Sequence, residues 1–145
     1  MATVSDVAHA FLHIDEKNDE CDGISNLKLQ KLVYYAQGFY LAIFDTPLFE
    51  EEIEAWAHGP VVPELYHEYK TSGKNSIDVE LTVKLPFTED EYNLIDEVYS
   101  VFGQFSAWKL RNLTHEESPW VNHEAMAEVI PKAELKEYFK TRISG

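Results

Sequence analysis

The segment from Ser25 to Phe44 constrains the fold more than any other part of the chain. It reads SNLKLQKLVYYAQGFYLAIF, and its apolar side chains cover nearly every direction around a helix with a period of 3.6 residues. A helix without a broad polar face has to be surrounded by other elements of the protein. The sequence therefore predicts a central, buried helix that the rest of the chain wraps.

The start of this helix and one of its sides carry further signals. Ser25 is suited to cap the first turn, and Ile24 and Leu29 have the spacing of a hydrophobic staple. Gly38 and Ala42 lie four residues apart, which places two small residues on the same side of the helix. We expect another element to pack closely there, since close packing would offset the roughly 1 kcal/mol that a glycine costs within a helix.

The remaining segments predict more helices and a small sheet. Helical periodicity or capping signals occur at 4–14, 61–69, 88–103, 106–113 and 131–143, with a shorter helical stretch around 122–129. Apolar and polar residues alternate at 52–58 and 77–85, which predicts two strands that could pair in either direction. The predicted fold class is mainly α: a compact helical domain around one central buried helix, with a small two-stranded β element.

Length and charge limit the domain organisation and the partners. A chain of 145 residues with 45% hydrophobic content fits one domain, 1–145, in which 1–23 would form an N-terminal helix and an acidic loop. The 26 acidic and 12 basic side chains give a formal charge of -14, which repels a phosphate backbone. We therefore expect no direct binding of nucleic acid, whereas a basic protein would be a suitable partner.

Cysteine content and hydropathy point to the cytoplasm. Cys21 is the only cysteine, so the chain cannot form an internal disulfide and has no cysteine pair for zinc, and a reducing compartment is the default. No apolar run approaches the roughly 18 residues that a membrane-spanning helix needs, and the N-terminus lacks a signal-peptide pattern. We expect a cytoplasmic protein without a membrane partner.

The sequence gives little support for catalysis. His9 and His13 have a spacing that can place two imidazoles on one metal ion, but no glutamate follows His9, which favours surface histidines. His115 and His123 lie among several glutamates without a recognisable ligand spacing. We predict no catalytic residue, no cofactor and no metal site. A small metal-dependent hydrolase using His115 and His123 is the weaker alternative.

A polar row on the central helix is the first candidate for binding. Lys28, Lys31 and Tyr35 have the i, i+3, i+7 spacing of one helix face. They could recognise an acidic or aromatic element of a partner, or the two lysines could cover apolar surface with their stems and balance nearby acids. Aromatic and imidazole side chains near the first strand and the Pro119–Trp120 turn are further candidates, although a core position suits them equally well. The predicted partner-binding residues are Lys28, Lys31, Tyr35, Trp56, His58, His115 and Trp120.

Three motifs follow one another between residues 24 and 139. They are Lys28–Leu32 followed by Tyr34 and Tyr35, then Ala55–Trp56 followed by Gly59–Pro60–Val61, then Thr114–His115 followed by Pro119–Trp120. In this combination and order they resemble the Panacea antitoxin domain, also called SocA-like. His58 stands where many relatives carry tyrosine before the glycine and proline.

The resemblance implies a role in a toxin–antitoxin system of a bacterium or phage. Proteins with this domain typically bind an unrelated, cognate toxin directly and neutralise it. One member of the family acts instead as a proteolytic adaptor that delivers its toxin to a AAA+ protease, which is the alternative mechanism for this chain. The residues that select the toxin are expected outside the shared motifs, at 3–23 and 71–85.

Overall fold

The computed structural model describes residues 2–18, 23–70 and 87–143. The predicted strand at 77–85 and residues 19–22 of the predicted acidic loop lie outside these ranges. In chain order the elements are α1 (Val4–Glu16), α2 (Asn26–Phe44), β1 (Ile53–Trp56), β2 (Gly59–Val61), α3 (Pro63–Glu68), α4 (Glu89–Phe102), α5 (Ala107–Thr114), α6 (Ser118–Val121), a 3-10 turn (Glu124–Met126), β3 (Val129–Ile130) and α7 (Lys132–Lys140). The mainly α fold class is confirmed.

Helix α2 lies at the centre, as predicted. The Ser25 hydroxyl accepts a hydrogen bond from the backbone N–H of Lys28, and both residues of the predicted staple are buried. Helices α1, α4, α5 and α7 pack around α2, together with α3 and β2. The last turn of α2 departs from the prediction of full burial. Ile43 and Phe44 are 53% and 38% exposed.

Helix α7 packs against α2 at Gly38, which confirms the expected close approach. The ring of the buried Phe139 occupies the space that a β carbon on Gly38 would need. Phe139 also meets Tyr34 edge to face, with ring centroids 5.5 Å apart. The glycine therefore sets the distance between the two helices.

Gly38→Ala is expected to destabilise the protein by about 1–3 kcal/mol, because the added methyl group forces Phe139 or α7 to move. Urea denaturation followed by tryptophan fluorescence would measure the change. In a Phe139→Ala background the same substitution should be neutral or stabilising, since only the helix propensity gain of about 1 kcal/mol remains. Equal destabilisation in both backgrounds would contradict the proposed contact.

The sheet contains three antiparallel strands within the described residues, in the order β2-β1-β3, rather than the two predicted. Glu54 pairs with Val61 across the hairpin, and Ile53 pairs with Ile130 on the other side. Gly59 and Pro60 begin β2, and the chain reverses at Ala57 and His58, between β1 and β2. Strand β3 was missed because two residues show no alternation.

Local start signals also hold at α4 and α5. Thr88 and Glu91 form the predicted capping box of α4, and Ser106 caps α5. Helix α1 extends to Glu16, beyond the predicted end near Ile14. No helix within the described ranges is long and apolar enough to cross a membrane.

Candidate functional site

The three sequence motifs meet beside α2 and are joined by hydrogen bonds. Lys31 Nζ donates to the carbonyl oxygen of Pro60 at 3.1 Å, which links the first motif to the second. Trp120 Nε1 donates to the carbonyl oxygen of Trp56 at 2.7 Å, which links the second to the third. Gln30 Oε1 accepts from the backbone N–H of Val62 at 3.0 Å. We call this assembly the motif network.

Glu117 is the acidic centre of the motif network and is only 4% exposed. Its carboxylate accepts hydrogen bonds from the hydroxyls of Tyr34 at 2.8 Å and Tyr35 at 2.9 Å. Arg142, just after α7, donates to the same carboxylate at 3.1 Å and to the Tyr138 hydroxyl at 2.9 Å. Three donors thus compensate one buried carboxylate and tie α2, the α5–α6 turn and the C-terminal segment together.

Burial controls the protonation of this centre. It raises the pKa of Glu117, although the hydrogen bonds from both tyrosines and the charge of Arg142 act in the opposite direction. Burial, followed by the negative charge of Glu117, also raises the pKa of Tyr34 and of Tyr35. Both hydroxyls therefore keep their protons and serve as donors at neutral pH. Because the pKa of Glu117 is raised on folding, protonation of Glu117 favours the folded state, and this pH-dependent part of the stability falls as the pH rises through the folded-state pKa.

Lys31 is the basic group of the motif network and has no exposed surface. Burial, and to a smaller extent the nearby positive charge of Arg111, lower its pKa from 10.5 to about 7. Its stem leaves no space above Gly59: a β carbon there would lie 2.6 Å from Lys31 Cε and 2.8 Å from Thr114 Oγ1. Gly59 also has a φ of 113°, a conformation that favours glycine. The glycine of the second motif is therefore required by the lysine of the first.

His115 and Trp120 form the aromatic part of the motif network. Their rings stack with centroids 3.9 Å apart and 4° between planes. Burial lowers the pKa of His115, and the charges of Arg111 and Lys31 lower it further, which favours the neutral imidazole. Its Nε2 is buried without a hydrogen-bond partner in the described part of the chain. This environment suits packing better than metal binding.

The arrangement predicted for the weaker hydrolase alternative is absent from the described ranges. His123 Nε2 lies 2.7 Å from Glu134 Oε1, and its other ring nitrogen faces Glu128. His115 packs on Trp120 instead of joining these carboxylates. Residues 2–18, 23–70 and 87–143 contain no group of three or more histidine, cysteine, aspartate or glutamate side chains placed to hold a metal ion.

The structure separates the predicted partner-binding residues into interior and surface positions. Lys31 and Tyr35 have no exposed surface, so neither side chain is accessible to a partner in this conformation. Lys28 is 8% exposed and donates to the carbonyl oxygen of Gly103 at 2.7 Å. At the β1–β2 turn, His58 is exposed and Trp56 is partly exposed. The row on α2 is therefore an internal element, whereas the hairpin turn is accessible.

Two residues of the motif network were missed by sequence reasoning. The adjacent tyrosines at 34 and 35 could have indicated a buried acceptor, but the third motif offers two acids, Glu116 and Glu117. Glu117 could thus have been proposed only as one of a group. Arg142 gave no signal, since its contact with Glu117 joins segments that are distant in sequence.

A pocket of about 510 Å³ lies where the exposed end of α2 meets α4. We call it the α2–α4 groove. Arg142 and Glu97 contribute its polar groups. Its apolar lining comes mainly from Phe39, Ile43, Leu94, Val98, Val101 and Ile143.

Comparison with known protein families identifies the family to which this chain belongs. The family described as Antitoxin SocA-like, Panacea domain, matches residues 29–121, a range that holds most of α2, the hairpin, α4, α5 and Glu117. The chain belongs to the SocA-like, Panacea-domain family of antitoxins. Phe139 and Arg142 lie beyond the matched range.

One curated relative is Antitoxin SocA from Caulobacter vibrioides (strain NA1000 / CB15N). The two sequences are 33% identical over 109 residues, which cover 67% of this chain and 58% of the relative. The similarity therefore spans little more than half of that protein's length. No solved structure matches the chain.

Proposed function

We propose that this protein is the antitoxin of a toxin–antitoxin pair and that it neutralises a cognate toxin by direct, stoichiometric binding. The observation that carries the proposal is membership of the SocA-like family, since the matched segment includes the second and third motifs and all of the first except Lys28. The protein would act in the cytoplasm as one domain, without catalysis, cofactor or nucleic acid.

The distribution of charge supports a binding role. Glu117 and Lys31, two ionisable groups with strongly altered surroundings, are both engaged inside the protein. Both side chains are buried and are not presented to a substrate. The surface is available for a partner, and the formal charge of -14 favours encounter with a basic protein. Trp56 and His58 at the hairpin turn are further proposed contact residues.

Co-expression with the neighbouring gene tests the proposal. We expect that gene to arrest growth when expressed alone, and we expect this protein to restore growth and to co-purify with the toxin in a fixed ratio. A proteolytic adaptor would instead restore growth while the toxin disappears. In cells that lack the AAA+ protease, the toxin would then persist. The absence of both toxicity and a complex would contradict the antitoxin role of this pair.

A further inference from the structure

Exposed apolar side chains concentrate at the α2–α4 groove. Ile43, Val101 and Ile143 line it and are 53%, 46% and 37% exposed, and the adjacent Phe44 is 38% exposed. These are four of the eight large hydrophobic side chains that are exposed in the described part of the chain. A concentration of this kind on a charged protein marks an interaction surface.

The α4 side of the groove is negatively charged. Helix α4 contains five acidic residues and no basic one. Asp90, Leu94, Glu97 and Val101 follow one stripe of the helix at i, i+4, i+7 and i+11, so acids alternate with groove-lining apolar residues. Neither Asp90 nor Glu97 takes part in an ion pair within residues 2–18, 23–70 and 87–143. The acidic edge is not neutralised within these ranges.

Two cations near the opposite side are already engaged. Arg142 is bound by Glu117, and Lys136 forms an ion pair with Asp45 at the end of α2. They therefore offset little of the charge of Asp90 and Glu97. A partner that fills the groove would gain most from apolar side chains flanked by lysine or arginine.

We propose that the α2–α4 groove is the docking site for a basic amphipathic helix of the toxin. A groove between two helices accepts apolar side chains spaced i, i+3 or i+4, and i+7 along a third helix, and basic residues beside that stripe would meet Asp90 and Glu97. A second copy of this chain is the less suitable occupant, because it would bring together two surfaces of the same negative charge. The inference rests on the proposed function for the identity of the partner, but the chemistry of the groove can be tested separately.

The first test uses labelled model peptides and the full-length protein. One peptide of about 18 residues carries leucine at helical spacing with lysine elsewhere, and its match carries glutamate in place of lysine. Fluorescence anisotropy should show the lysine peptide binding at least about tenfold more tightly. Ile43→Asn and Val101→Asn should each weaken binding severalfold, whereas Met126→Asn, at an exposed apolar position outside the groove, should not. Absent binding, equal affinity for both peptides, or equal effects of groove and control substitutions would overturn the inference.

The second test applies the same variants to the co-expressed toxin and to self-association. Val101→Asn should lose toxin capture while Met126→Asn retains it. Retained capture by the groove variants would overturn the inference and leave the proposed function intact. If the wild type captures no toxin, the proposed function fails and the peptide measurements decide on the groove. Light scattering should show a monomer, and a dimer that the groove substitutions dissociate would overturn the inference in favour of a second copy.

Discussion

Replacing Glu117 with alanine is expected to lower the free energy of unfolding by about 3–5 kcal/mol. The carboxylate is 4% exposed and accepts hydrogen bonds from Tyr34, Tyr35 and Arg142. Its removal leaves two buried hydroxyls and part of a guanidinium without their acceptor, and each such group carries its own desolvation cost. Because a domain of this kind is stable by only about 5–15 kcal/mol, the variant should be close to unfolding at physiological temperature.

Urea denaturation followed by tryptophan fluorescence measures this effect, and Glu116→Ala is the matched control. Glu116 is the preceding residue but is exposed, so its replacement should change stability by no more than about 0.5 kcal/mol. Glu117→Gln should fall between the two, since the amide oxygen can still accept while its NH₂ group cannot. Equal stability of the two alanine variants would show that the hydrogen bonds to Glu117 contribute little.

Replacing Lys31 with methionine is expected to change how stability depends on pH. The pKa of Lys31 is lowered from 10.5 to about 7 in the folded protein, mainly by burial. Between these pH values the unfolded chain holds a proton that the folded chain lacks. As the pH rises from about 7 to 10.5, the wild type should therefore gain about 1.4 kcal/mol of stability per pH unit relative to Lys31→Met. Below pH 7 the difference between the two proteins should not depend on pH.

At neutral pH we expect Lys31→Met to be the more stable protein, because an unbranched apolar side chain replaces a group that is costly to bury when charged. The lost hydrogen bond to Pro60 offsets about 1 kcal/mol of this gain. Urea titrations between about pH 6 and 10 would give both quantities. Lys109→Met, at an exposed position of α5, should follow the wild-type pH profile. Parallel profiles for wild type and Lys31→Met would contradict the lowered pKa.

The burial of Lys31 also changes what a charge reversal can show. Lys31→Glu would place an unpaired carboxylate in the interior, so a lost complex would report unfolding rather than a lost contact. Substitutions at His58 or Val101, which are exposed, are better suited to test binding. A binding measurement on this protein needs a folded-state control at every position on α2.

Local signals predicted much of the fold. The cap and staple at Ile24–Leu29, the capping box at Thr88 and the small-residue site at Gly38 each depend on residues within one turn or two of a helix, and each holds. Strand β3 depends on its pairing with β1, and its two residues carry no periodic pattern of their own. The prediction failed for β3 because this strand forms only through its pairing with a segment distant in sequence.

The candidate site was predicted only in part, for a related reason. The spacing of Lys28, Lys31 and Tyr35 identifies one helix face but not whether that face meets water, and lysine is usually exposed. The bonds that fix their roles are long-range: Lys31 reaches Pro60, and Tyr35 reaches Glu117. The motifs could be recognised in the sequence, whereas their interior position required the structure.

The interior position of the motifs has a consequence for how such proteins diversify. Lys31 and Gly59 constrain each other, as do Glu117 and the two tyrosines that donate to it. Surface residues such as Val101 and His58 are free of these constraints. Two proteins can therefore share every motif and still bind different partners. Shared motifs then identify a common fold but do not identify the partner.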